Sequence, residues 1–371
     1  MNEIFSFRKW RNACEVPQLW KDVKLRLSSA RSLESVSTVR AHLLSEIEVM
    51  GKTIIWPPDP DPRVWHDGWA KIKLYKDIFL VERRGLKSFK VYNTLHRRIP
   101  YELIEIAFLK LETIHFRYCL LSREQLMGAY NALLKNDVPC LRDIDISGSD
   151  HVAIPPHLIG NTLPKFSLVC LDSCNLDTSQ LISLYEGLVS VKGKTPERLS
   201  LSGNNHDFVP PFLLTETMKK VKSLRLVDCT LTNLQLTSIY RTVYSKGTKD
   251  KLRINLSWND HSGVDSTLLA DAYSRIRCIK LTVSSLSTIQ IEKILEMINK
   301  NPIGHIKTLD LSANNHIQVR PFVLASAITR VRLVRLNLCN FCKAQYKAIS
   351  IVRDLISHSS FKTVVIDSDE I

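Results

Sequence analysis

The chain has no run approaching ~18 consecutive apolar residues, so nothing in it reads as a membrane span. Its first residues, MNEIFSFRKWRNACEVPQLW, place their charges after a very short apolar stretch and so lack the layout of a secretory signal. No GxGxxG, P-loop, HExxH, ordered Ser/His/Asp set or paired-carboxylate motif stands out. The expectation is therefore a protein that is not an enzyme and carries no cofactor and no metal. A zinc pattern is missing too: Cys339 and Cys342 form a single CxxC, and no second pair completes four ligands. The nine cysteines are odd in number and mostly recur at one repeat position rather than in pairs, which predicts reduced thiols in the cytoplasm or nucleus. Nothing in the composition is disordered or fibrous, and 44% hydrophobic residues suffice for a buried interior.

What is present begins with charge. Lys and Arg number 51 against 37 Asp and Glu, a formal excess of +14 that favours acidic partners through long-range steering. No basic run and no nucleic-acid motif accompanies it, so nucleic acid is not the expected partner.

The strongest feature is a period of 55 residues, carried by Gln125, Gln180, Gln235, Gln290 and Gln345 and again by His151, His206, His261 and His316. Cys119, Cys174, Cys229 and Cys339 fall on the same grid, with Ser284 in the remaining slot. A fixed period on independent residue ladders signals an array of stacked units, and the 371 residues need not divide into the two or three domains that length alone suggests. Each unit splits into halves of 30 and 25 residues. One half opens on the spacing of Val221, Leu224, Leu226, Cys229 and Leu231; the other repeats it with Asn at the Cys position, as in Ile306, Leu309, Leu311 and Asn314. The apolar-x-apolar centre has the period of two of a strand. A buried Asn there can bond backbone groups of neighbouring turns, and a buried Cys fills the slot as a small apolar group. Ser122, Asp177, Thr232 and Ser287 each stand three residues before a ladder Gln, the spacing of a capping box that starts a helix. Pro156, Pro211 and Pro321 sit where first helical turns begin in the other halves.

This pattern, over about 86–371, resembles the leucine-rich-repeat family in its ribonuclease-inhibitor-like version. The resemblance implies an α/β solenoid with a parallel inner sheet and outer helices. Extending the grid gives about eleven strands, beginning near 86, 111, 141, 166, 196, 221, 251, 276, 306, 331 and 361. Residues 1–85 do not fit the grid. Within 1–27, Trp10-Arg11 and Pro17-Gln18-Leu19-Trp20 resemble the second half of an F-box, and Glu3 to Phe7 resemble the end of its first helix; the middle of that module is absent. The resemblance implies docking onto a Skp-type adaptor through Ile4, Phe5, Trp10, Leu19 and Trp20. Residues 28–85 are expected to form a helical cap and linker over the first repeat. The chain stops just after the strand expected at Phe361, and both ends read as trimmed.

The candidate binding site is the concave sheet face. Its central row is expected to hold Lys90, His115, Asp145, Arg225, Asn255, Lys280, Asp310 and Arg335, with Cys170 and Ser200 between them and Arg117 beside His115. Basic residues prevail, and arginine pairs well with carboxylate or phosphate, so an acidic or phosphorylated protein segment is the expected ligand. The His ladder is expected to be structural: its members lie about 10 Å apart, too far to share an ion with ~2 Å bonds. The Gln ladder is explained by capping. Three readings follow: a substrate receptor of a cullin-RING ubiquitin ligase, a free-standing scaffold or inhibitor like ribonuclease inhibitor, and a small-GTPase activating protein, whose acidic tail this basic chain lacks.

Overall fold

A computed structural model describes residues 24–27, 46–50, 72, 75–76, 79–80, 87–92, 96–135, 141–191, 196–245, 252–356 and 363–365. The chain divides into two compact units, Met1–Leu176 and Asp177–Ile371. Both are leucine-rich-repeat solenoids of parallel strands alternating with helices.

In the first unit six strands run in parallel: β1 (Lys24–Leu27), β2 (Glu46–Met50), β3 (Ser88–Tyr92), β4 (Thr113–Arg117), β5 (Asp143–Asp145) and β6 (Leu168–Cys170). Helices α1 (Tyr101–Lys110), α2 (Arg123–Lys135) and α3 (Pro156–Thr162) follow β3, β4 and β5. β1 and β2 are off the repeat grid. β2 lies inside the segment expected as a helical cap, and the sequence Glu46-Ile47-Glu48-Val49-Met50 shows why: it alternates polar and apolar with the period of a strand. The edge of β3 is thus covered by a paired strand. A helical stretch does reach this end at Ile72, Tyr75 and Phe79, and Tyr75 and Phe79 meet Phe89 edge to face at 5.3 and 5.4 Å.

The second unit holds two parallel ladders. β7 (Arg198–Ser200), β8 (Ser223–Arg225) and β9 (Arg253–Asn255) form one; β10 (Cys278–Lys280), β11 (Thr308–Asp310), β12 (Leu333–Arg335) and β13 (Thr363–Val365) form the other. Its helices are α4 (Thr178–Ser190), α5 (Pro211–Lys220), α6 (Asn233–Ser245), α7 (Ser266–Tyr273), α8 (Thr288–Lys300), α9 (Pro321–Arg330) and α10 (Lys343–Ile356). Each of the eleven grid positions therefore carries a strand, β3 to β13.

Helix starts follow the sequence signals. Complete capping boxes join Asp177 to Gln180 and Ser287 to Gln290, and Ser122–Gln125 and Thr232–Gln235 exchange the same two bonds. Pro156, Pro211 and Pro321 open α3, α5 and α9. The ladder glutamines do more than cap. The Nε2 of Gln235 donates to the carbonyls of His206 and Val209, both at 2.7 Å in the preceding coil, and Gln125, Gln290 and Gln345 repeat the arrangement. Capping alone was therefore an incomplete account: the same amide starts one helix and ties it to the coil before.

The cysteines likewise are more than small apolar fillers. The thiols of Cys119, Cys174, Cys229 and Cys339 donate to the carbonyls of Val91, Ile146, Leu201 and Leu311 at 3.3 to 3.6 Å. In the alternate halves Asn259 Nδ2 donates to Leu226, Leu256 and Ser257 while its Oδ1 accepts from the amides of Cys229 and Leu231; Asn314 does the same one period later. These bonds satisfy backbone groups that the turn would otherwise strand in the core.

The turns after β4 to β12 enter the left-handed region, at two residues in the Cys-type halves, as at Tyr118 and Leu120 or Asp228 and Thr230, and at one in the others, as at Gly148, Gly203 and Trp258. Gly148 has φ 73°, and a Cβ there would stand 2.2 Å from the Tyr118 ring. Gly148→Ala is expected to lower stability by about 1–3 kcal/mol, combining left-handed strain with displacement of that ring. Chemical unfolding of the variant checks this; an unchanged midpoint would contradict it.

Candidate concave binding faces

Alternation fixes what each strand shows. Ile144, Leu199, Leu224, Ile254 and Leu309 are buried, so the residues flanking them face the opposite side, the inner face of the solenoid. The expected central row is reproduced by the strand register. Lys90 pairs with His115, His115 with Asp145 and Asp145 with Cys170 in the first unit. Ser200 pairs with Arg225 and Arg225 with Asn255, and Lys280 pairs with Asp310 and Asp310 with Arg335, in the second. The expected adaptor residues Ile4, Phe5, Trp10, Leu19 and Trp20 lie outside the described residues.

The two inner faces differ in charge. In the first unit Arg117 is half-buried, and burial by itself would disfavour its charge. Asp145, Tyr118 and Asp172 together outweigh that penalty and raise its pKa. Asp145 and Asp172 are themselves only 7% exposed, so this cation already has its counter-charges. Its guanidinium also lies 5.6 Å from the Tyr118 ring centre, within cation–π reach. The general prevalence of basic residues expected along the row does not hold here.

In the second unit it does, and more strongly than the central row indicated. Arg198 and Arg253 stand on the inner face beside that row, two residues before Ser200 and Asn255. With Arg225, Lys280 and Arg335 they oppose a single carboxylate, Asp310, among the described inner-face residues of these strands. Arg335 is the cation that meets it, with Nη1 3.9 Å from Asp310 Oδ2. Four further cations, Lys222, Arg277, Lys307 and Arg332, stand immediately before strands β8, β10, β11 and β12; Lys222 is paired with Glu197 at 2.7 Å. The sequence signal for Arg198 and Arg253 was available: they occupy the same position relative to the buried leucine or isoleucine, 55 residues apart.

The buried histidines are structural in their geometry. Nδ1 of His151, His206, His261 and His316 each lies 2.7 Å from the carbonyl oxygen two residues earlier, which requires a proton on Nδ1. The Nε2 lone pairs of His151 and His206 then accept from the hydroxyls of Tyr130 and Tyr185, each at 3.0 Å. The motif extends to Tyr75 and His96, which stand 55 residues before Tyr130 and His151 and make the histidine ladder one member longer than the four expected. Burial pushes the pKa of His151, His206, His261 and His316 down to about 4, so all four are neutral near pH 7. Among the described residues no group of three or more His, Cys, Asp and Glu is placed to hold a metal ion, and no helix is long and apolar enough to cross a membrane.

No family model matches the chain, and no curated protein matches its sequence. Among solved structures, a chain of the crystal structure of the Rad7 and Elc1 complex in yeast has a similar fold, with a TM-score of 0.57 and 13% sequence identity. The alignment covers 99% of this chain and 90% of that one, so the likeness extends across the array rather than to a few coils. The class defined by fold and face together is a leucine-rich-repeat protein with an open inner sheet.

Proposed function

We propose that this chain is a protein-binding receptor that holds a partner segment on its inner sheet faces, and that it serves as the substrate-recognition subunit of a cullin-RING ubiquitin ligase. The observation that carries the first part is the inner face of the second unit, where five cations oppose one carboxylate on rigid strands. Such a surface attracts an acidic segment and gains affinity from multiple charge-assisted hydrogen bonds. No catalytic group is assigned. The receptor acts by proximity, holding its substrate while another protein supplies the chemistry.

The ligase part rests on the F-box-like residues Trp10-Arg11 and Pro17-Gln18-Leu19-Trp20. The structural neighbour was crystallised as a complex with a second protein, which supports a partner-binding role for a fold of this kind. Ile4, Phe5, Trp10, Leu19 and Trp20 are the proposed adaptor contacts. In a pull-down against a Skp-type adaptor the full chain is expected to bind, and Trp20→Ala to reduce retention at least tenfold, the scale set by losing one buried aromatic anchor of about 2 kcal/mol or more. No retention of the unaltered chain would remove the ligase role and leave a free-standing scaffold or inhibitor.

A further inference from the structure

On β7, β8 and β9 three exposed arginines surround a floor of small polar side chains. Arg198 and Arg253 lie in register on either side of Ser223, and Arg225 stands on the central strand two residues further along. Two strand spacings separate Arg198 from Arg253, about 10 Å between their Cα atoms, and Arg225 closes the triangle at a similar distance from each. Ser200, Ser223 and Asn255, each half-buried, complete the floor. None of the three arginines has an acidic partner among the described residues, unlike Arg335 with Asp310 and Lys222 with Glu197.

We infer that Arg198, Arg225 and Arg253 form a binding site for a single phosphorylated side chain, phosphoserine or phosphothreonine, in the protein segment that this face receives. The inference rests on the partner-binding reading above and deepens it to one ligand chemistry. The charge and the geometry select phosphate over carboxylate. Three arginines need a group with several acceptor oxygens and close to two negative charges, which phosphate supplies at pH 7. A glutamate or aspartate offers two oxygens and one charge, and would leave one arginine unmatched. Each guanidinium forks onto two oxygens or onto one oxygen and its neighbour, so the triangle fixes orientation as well as charge. The occupant is a protein segment rather than nucleic acid because the described inner-face positions of the second unit carry Ser, Thr, Asn, Cys, Leu and Val but no aromatic ring. Single-stranded nucleic acid is held by successive bases stacked on aromatic side chains; these strands present none, and the exposed Trp258 in the turn beyond β9 is a single ring rather than a row.

The test uses the full-length protein and three immobilised peptide libraries of random sequence around one fixed residue: phosphoserine, serine or glutamate. A 12-nucleotide single strand is the fourth probe. Retention on the phosphoserine library is expected to exceed that on the serine and glutamate libraries at least tenfold. The variant R198A/R225A/R253A is expected to lose this preference, and the lysine version of the same triple variant to recover only part of it. The edge variant K307A/R332A is expected to keep it. Thermal unfolding of each variant, with these exposed positions altered, is expected to match that of the unaltered protein. Equal retention of phosphorylated and plain libraries would overturn the inference, as would tighter binding of the oligonucleotide or equal loss in the edge variant. The adaptor pull-down separates the two readings. Adaptor binding without phosphopeptide binding overturns the site alone, and phosphopeptide binding without adaptor binding overturns the ligase role alone.

Discussion

Lowering the pH from 7.5 to 5 is expected to remove most of the stability of the array. Four buried histidines have pKa values pushed down to about 4, whereas the ordinary value is 6.5. Between about pH 6.5 and pH 4 the unfolded chain binds protons that the folded chain excludes, so stability falls as pH falls through that window and levels off below it. Each depressed imidazole contributes a loss of roughly 2 kcal/mol at pH 5 by this linkage. Summed over His151, His206, His261 and His316, the effect is on the order of a typical domain's whole stability. The geometry explains why the folded state resists protonation. Nδ1 already carries its proton against a carbonyl, so an added proton must go to Nε2. At His206 that atom accepts from Tyr185, so protonation would force this bond to reverse and leave a charged ring in the core. At His261 and His316 Nε2 is buried with no hydrogen-bond partner among the described residues, so a charge there would have nothing to solvate it. Urea unfolding followed by circular dichroism at pH 7.5, 6 and 5 measures the slope. Identical midpoints at all three values would refute the account.

Asn259→Ala is expected to cost about 3–5 kcal/mol. The side chain holds two backbone amides and three carbonyls of two successive coils, and alanine would leave several of these buried without partners. Each stranded group costs roughly 1–3 kcal/mol, reduced where the backbone relaxes or water enters. Cys229→Ala is the matched comparison, because that thiol makes two weak bonds at 3.4 and 3.5 Å, and its loss should cost about 1 kcal/mol plus a small cavity. The contrast between the two variants in denaturant midpoint is the readout. Similar losses for both would mean that the slot is held by volume rather than by hydrogen bonds.

The solenoid was legible because its determinants are local and repeat. Apolar alternation, the Gln capping box and the proline at a first turn each act within a few residues, and the 55-residue step multiplied the signal. What escaped depended on neighbours. Tyr130 and Tyr185 stand at helical spacing among leucines in the sequence, and only the folded coils show their hydroxyls meeting His151 and His206. The second role of Gln235 needs the carbonyls of His206 and Val209 to be in place in the coil before it. β2 escaped because it is off the grid, although its alternation was in plain view. Arg225 was found from the central row, whereas Arg198 and Arg253 required attention to the adjacent row and to the register that brings the three together.

The side-chain rungs of the Gln, Cys and Asn ladders also have a direction. Gln235 reaches back to His206 and Val209, Cys229 to Leu201 and Asn259 to Leu226, each from a later coil onto an earlier carbonyl. A chain emerging from the ribosome delivers these carbonyl acceptors before the side chains that donate to them, whereas the amides of Cys229 and Leu231 wait for the Oδ1 of Asn259 in the coil that follows. Each newly made coil can therefore lock onto a finished surface without waiting for the rest of the protein. Synthesis and assembly run the same way along these bonds, and a pause in translation just after Leu231 would leave the carbonyl rungs behind it closed and the amides of Cys229 and Leu231 waiting for the next coil.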